Sequence, residues 1–208
     1  MQFDPTVIVI VLVSVLVSMT VHEAVHAFTS NALGDDTAKQ EGRLTFNPIA
    51  HIDPVMTVAL PVFLAAIGAP IFGAAKPVPF NPERLKWGDF GAATVAIAGP
   101  LSNLLMASIA AGLLLILDGA LAQTVLLWFI VVNVGFFVFN MIPFPPLDGS
   151  RFLYAVAPEP VRVIMRSIEN LGVMAIFLFI TVFYLFLTQP FIYIVSGIID
   201  FLTGVKLQ

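Results

Sequence analysis

TVIVIVLVSVLVSMTVHEAVHAFTSNA, residues 6–32, is an apolar run of helix-forming length that ends in His22-Glu23-Ala24-Val25-His26. Runs of about 20 apolar residues are what a bilayer-spanning helix requires. The start Met1-Gln2-Phe3-Asp4 lacks the positive region of a signal peptide, so Thr6 to Ala32 is expected to be a mature transmembrane helix. Two imidazoles at i and i+4 share one helix face, with a carboxylate beside them, an arrangement suited to holding zinc and supplying a general base. Ionisable groups inside a membrane segment are costly to bury, which argues against chance. His22 and His26 are also two of only three histidines in the chain.

The rest of the chain agrees with a membrane setting. Of 208 residues, 59% are hydrophobic and 11% charged, and the mean hydropathy is +1.00. A soluble domain carries roughly 25% charged residues. With no cysteine, any metal must be held by His, Asp or Glu. A net charge of -4 and nine Lys and Arg leave no basic patch for nucleic acid.

The organisation expected is an all-α polytopic membrane protein of about five to six hydrophobic segments, forming a single domain over 1–208. Its core is 6–149, and its C-terminal helices lie in 150–208. Gly34 to Pro54 is polar, with a hairpin expected around Glu41-Gly42, part of a small re-entrant β-hairpin or loop element after the first helix. Val55 to Gly73 is apolar but broken by Pro61, Gly68 and Pro70, and the prolines of Ala74 to Gly88 favour extended chain. Asp89 to Leu117 and Leu121 to Ile142 are two spans joined by a short turn. Pro158 to Glu169 reads as an interfacial helix, and Leu171 to Leu187 and Phe191 to Leu202 as two final segments.

A catalytic zinc takes three protein ligands and keeps one position open. The third ligand is sought among Asp148, His51, Asp53, Asp118 and Asp200. About 15 apolar residues before His22 span roughly 22 Å of a 30 Å core, so the motif lies toward the exit side of the first helix. Asp148 reaches that side only if one of the segments between turns back, and Val55 to Gly73 is the shortest and most broken. Re-entry there places Lys39, Arg43, Lys76, Arg84, Lys86, Arg151, Arg162 and Arg166 on one face, with Lys206 joining them if the last segment crosses. The positive-inside rule then puts the N-terminus outside, the site opening toward the cytoplasm, and Asp118 on the wrong side to be a ligand. His51 and Asp53 read more simply as loop-stabilising residues, and Gly99-Pro100 with Asn103 either opens backbone near the site or packs between helices.

Several motifs together resemble the site-2 family of intramembrane zinc metalloproteases, in its compact branch without PDZ or CBS domains. They are His22-Glu23-Ala24-Val25-His26, Asn47-Pro48 with His51 and Asp53-Pro54, Gly73 to Pro82 around Lys76-Pro77-Val78-Pro79, Gly99-Pro100 with Asn103, and Asn140 to Gly149 ending in Pro146-Leu147-Asp148-Gly149. The resemblance implies one zinc per chain held by His22, His26 and Asp148, with Glu23 as general base and Asn140 assisting at the substrate carbonyl or oxyanion. It implies a transmembrane protein substrate, cut within or near its membrane segment in the lipid bilayer of the cell membrane, in regulated intramembrane proteolysis. Thr37 to Phe46 and Lys76 to Phe80 offer extended chain that an unwound substrate strand could join. The competing reading is a cation or proton transporter built on the same His, Glu and Asp groups. A third is a non-cleaving relative, against which the intact Glu23 argues.

Overall fold

The computed structural model describes residues 4–54, 59, 63 and 76–204. Helix α1 (Pro5–Ala32) starts where the Asp4 carboxylate accepts the Thr6 N–H at 2.8 Å, with Pro5 already fixed in helical φ at the first position. Its outer face, including Val9, Leu12 and Val13, is exposed, while Ser14, Ser18, His22, His26 and Ser30 are buried. Small side chains on α1 and on α3 (Asp89–Leu114) let the two backbones approach closely, the packing mode of helices in lipid, where no hydrophobic force pulls apolar faces together. Helix α4 (Ala120–Asn140) returns antiparallel to α3 after the short loop at Asp118-Gly119. Their contact includes the buried Ala107, Ala110, Ala111, Ile130 and Val134.

Between α1 and α3 the chain comes back to the end of α1 from which it left. The Lys86 N–H donates to Leu33 O at 2.9 Å, the Asn81 N–H to Asp35 Oδ2 at 2.6 Å, and Arg84 pairs with Asp36 at 3.2 Å. Asp35 is fully buried, and its Oδ1 also accepts from the Thr37 N–H and hydroxyl at 3.1 and 2.6 Å. Burial alone would push its pKa up, but these hydrogen bonds, from Thr37 above all, and the charge of Arg84 hold it below the ordinary carboxylate range.

The hairpin expected at Glu41-Gly42 is not formed. The same Asp35 bonds start a helical turn, α2 (Thr37–Gln40), and Glu41 and Gly42 close it as a turn with Gly42 at φ 69°. No strand is present among the described residues, and the expected re-entrant segment 55–73 lies outside them save for 59 and 63.

After α4, Pro143, Pro145 and Pro146 prevent helix, and the chain restarts as α5 (Asp148–Val156). Gly149 is required there, because a Cβ would stand 2.7 Å from Ile142 O and closer still to Met141 O. The amphipathic α6 (Glu159–Glu169) follows as expected from the sequence. The two final segments expected at 171–187 and 191–202 are instead one helix, α7 (Val173–Thr203), 31 residues long. Pro190 cannot donate to the preceding turn; a π turn at Phe183–Leu187 absorbs the mismatch, and the Thr188 hydroxyl donates to Phe183 O at 3.1 Å. Among the described residues, four helices, α1, α3, α4 and α7, are long and apolar enough to cross a membrane.

Candidate metal centre

His22 and His26 lie one turn apart on the buried face of α1, each 7% exposed, and Asp148 approaches them from the first position of α5. The two Nε2 atoms are 2.9 Å apart. Asp148 Oδ2 stands 3.1 Å from the first and 3.4 Å from the second. The other ring nitrogens are already engaged. His22 Nδ1–H donates to Asn103 Oδ1 at 2.6 Å, and His26 Nδ1–H donates to Val95 O at 2.7 Å. Both acceptors are oxygens without a proton to give, so both neutral rings carry their proton on Nδ1 and turn a bare Nε2 lone pair inward.

Three acceptors therefore converge with no donor among them. Such a cluster is stabilised only by a cation, and its edges are close to the roughly 3.3 Å separating the ligand atoms of a tetrahedral zinc site. Nitrogen and carboxylate donors, each imidazole fixed by an outer hydrogen bond, are a donor set that zinc favours. Among the described residues this is the group of three whose donor atoms lie within 4.8 Å of one another.

The space around the rings is set by α3. A Cβ on Gly99 would stand 2.8 Å from His22 Nε2 and would collide with the ring of His26. Glycine here leaves room for two imidazoles, and Pro100, which lacks an N–H, leaves Ala96 O without its usual helical donor beside the site. A cavity of about 200 Å³ adjoins the donors, lined by Glu23, His26, Pro77, Val78, Ala96, Leu147, Asp148 and Arg151. Glu23 faces this cavity, and its Oε2 accepts the Val78 N–H at 3.0 Å. The segment carrying Val78 is pinned from below by buried Arg43, whose guanidinium donates to Lys76 O at 2.8 Å and Pro77 O at 3.0 Å.

The other sequence candidates are elsewhere. His51 is buried but donates from Nε2 to Thr45 O at 2.9 Å, a loop-holding contact. Asp53, Asp118 and Asp200 are not in the cluster of donors. Asn140 donates to Phe136 O at 3.0 Å, one turn back on its own helix, and does not line the cavity. The sequence reading did not single out Asn133, Val95 O or the Val78 N–H. An asparagine in the middle of the apolar span of α4 was the available signal for Asn133; backbone groups leave none.

Comparison with known proteins agrees with this geometry. The chain is 38% identical over 173 residues to YwhC of Bacillus subtilis, whose curated name is that of a candidate zinc metalloprotease; the match covers 77% of this chain and 75% of that one. The chain belongs to the site-2 family of intramembrane zinc metalloproteases. Two Rip2 proteins, named in the same way, are also similar. That of Mycobacterium tuberculosis is 32% identical over 184 residues, covering 84% of this chain and 68% of the relative. That of Mycolicibacterium smegmatis is 31% identical over 150 residues, 69% of this chain and 55% of the relative. No family model and no solved structure matches the chain. The His22, His26 and Asp148 group has the donors to hold the one metal ion of a zinc metalloprotease, and Glu23 lines the adjoining cavity.

Proposed function

We propose that the chain, as one unit over 1–208, hydrolyses peptide bonds within or near the transmembrane segments of membrane-anchored proteins, with His22, His26 and Asp148 as its zinc ligands. The observation that carries this reading is the meeting of two inward Nε2 lone pairs with a carboxylate oxygen inside a membrane helix bundle. Zinc held by these three residues would supply Lewis-acid polarisation of the scissile carbonyl and would acidify water. Glu23 takes the proton of the attacking water and returns it to the leaving amine, a role matched by its position on the same cavity wall. Its bond to the Val78 N–H orients one carboxylate oxygen and leaves the other free for that proton. Asn140 gives one amide N–H to Phe136 O and keeps a second, which serves as a donor to the developing oxyanion once the side chain turns toward the cavity.

A membrane helix hides its carbonyls in its own hydrogen bonds, so the substrate must unwind to reach the cavity. The extended Lys76 to Phe80 wall is a place for an unwound strand to lie. Thr37 to Phe46 is less suited, since its first residues are helical.

The bond between Lys86 and Leu33 supports re-entry of the chain between α1 and α3, since a segment that begins and ends at one end of α1 makes no net crossing. That topology gathers Arg43, Arg84, Arg151 and Arg162 at the end carrying the site, so the positive-inside rule orients it toward the cytoplasm of a multi-pass cell-membrane protein. Membership of the protease family removes the ground for the transporter reading.

The test is a reporter with one transmembrane helix, tagged at both ends, reconstituted with the zinc-loaded chain. Wild type is expected to release two fragments, and Glu23→Gln to bind zinc normally with cleavage reduced by about 10²–10⁴-fold. Cleavage unchanged in Glu23→Gln would overturn the assignment of the base.

A further inference from the structure

Behind His22 lies a chain of hydrogen bonds that crosses three membrane helices. Asn103 on α3 and Asn133 on α4 are both fully buried. Asn133 Nδ2 donates to Phe129 O, one turn back, at 2.9 Å, which leaves Asn133 Oδ1 facing α3. Asn103 Nδ2 donates to that oxygen at 3.0 Å and to Ser18 O of α1 at 3.3 Å. With its amine end committed, Asn103 can present only Oδ1 to His22.

The direction of the chain is not arbitrary. A backbone carbonyl can only accept, so the amide atom that faces Phe129 O or Ser18 O at hydrogen-bond distance must be the NH2, which fixes both amides. Reversing Asn103 would set its carbonyl against Ser18 O and Asn133 Oδ1 and turn its amine on His22 Nδ1. His22 would then carry its proton on Nε2, aimed at His26 Nε2 and Asp148 Oδ2, where the metal must bind.

We propose that Asn133, acting through Asn103, is a positioning residue that fixes the proton of His22 on Nδ1 and so presents Nε2 to the metal. Neither asparagine touches the metal or the substrate. Their contribution is that the ring is already in its ligating form before zinc arrives. This deepens the zinc-site reading above and rests on it.

With only three histidines in the chain, ¹⁵N-histidine labelling of the whole protein in lipid resolves each ring, and a His22→Ala sample assigns the signal of interest. In metal-free wild type His22 is expected as the Nδ1–H form alone. Asn133→Leu and Asn103→Leu are expected to add an Nε2–H population, with zinc affinity about 10-fold weaker in the first and about 10–100-fold weaker in the second. An Nε2–H ring in wild type overturns the proposal without any variant, so a variant that fails to fold does not shield it. Unchanged tautomer and zinc affinity in both variants, with zinc binding lost in His22→Ala, also overturns it and leaves the zinc site standing. Zinc retained in His22→Ala would overturn the site itself.

Discussion

The interface of α1 with α3 and the long helix α7 are both apolar in composition, yet they are built on opposite rules. The buried positions of α1 and α3 include Ser14, Ser18, Ala24, Ala27, Ala92, Ala96, Gly99 and Ala107, small enough for backbones to approach and for His22, His26 and Asn103 to be enclosed. Along α7 only Ala175, Phe179 and Ile199 are buried, while Phe177, Leu185, Phe186, Tyr193 and Phe201 stand exposed on the outer surface. Where α7 meets α4, Ile199 joins the core of Ile130 and Val134, and Phe139, Phe179, Phe183 and Phe191 make edge and tilted contacts at 5.4–6.4 Å. Small side chains fix a geometry because nothing in them can move aside; large ones on a lipid-facing helix fill space and re-pack.

The sharpest contrast is between two glycines. Gly99→Ala drives a methyl group into both metal-facing imidazoles and is expected to weaken zinc binding by at least about 100-fold, measured by chelator competition. Gly197→Ala on α7 meets nothing within 4 Å. It should leave zinc binding and cleavage unchanged, and a comparable loss at both positions would end the distinction.

Less dramatic is the joint between the two regions. Arg162 of α6 donates to Ala157 O at 2.9 Å, Ala155 O at 3.1 Å and Asp89 of α3 at 3.0 Å. Arg162→Ala is expected to cost about 1–3 kcal/mol, near 2–4 °C in Tm for each kcal/mol in a chain of this size. Zinc affinity should stay within a few-fold of wild type, since Arg162 contacts none of the donors. A loss of zinc equal to that of Gly99→Ala would mean that the peripheral helices shape the site.

The smallest effect expected is the pH dependence at Asp35, which anchors the chain where it leaves and rejoins α1. Its folded pKa lies below the ordinary 3.8, so its stabilisation is fully present above that value and is lost as pH falls through the folded value. Asp35→Asn should therefore lower Tm at neutral pH, with the gap to wild type closing as the pH is taken below about 4. A gap that widens on acidification would contradict the assigned hydrogen bonds.

How legible each region was in the sequence follows from the same contrast. His22, Glu23 and His26 could be read because their spacing is local to one helix, and Asp148 because its depth relative to them constrained the path between. The rings' outer partners were harder. Asn103 was legible in its motif with Gly99-Pro100, as a residue that opens backbone or packs between helices, but not as the partner of His22; Val95 O and the Val78 N–H have no signature, since every residue carries them. The hairpin expected at Glu41-Gly42 lost to the Asp35 side chain, which starts a helical turn by bonding Thr37. The break expected between Leu187 and Phe191 is absent, because a π turn carries the helix through Pro190. Local patterns state which faces are apolar; long-range hydrogen bonds decide the rest.

The most direct test of the central claim is the zinc content of purified chain after zinc loading and removal of excess, in wild type, His26→Ala and Asp148→Ala. One tightly held zinc per wild-type chain, lost or strongly weakened in both variants, is the expected result. Wild-type zinc content in Asp148→Ala would contradict it, because the carboxylate 3.1 Å from His22 Nε2 would then not be a ligand.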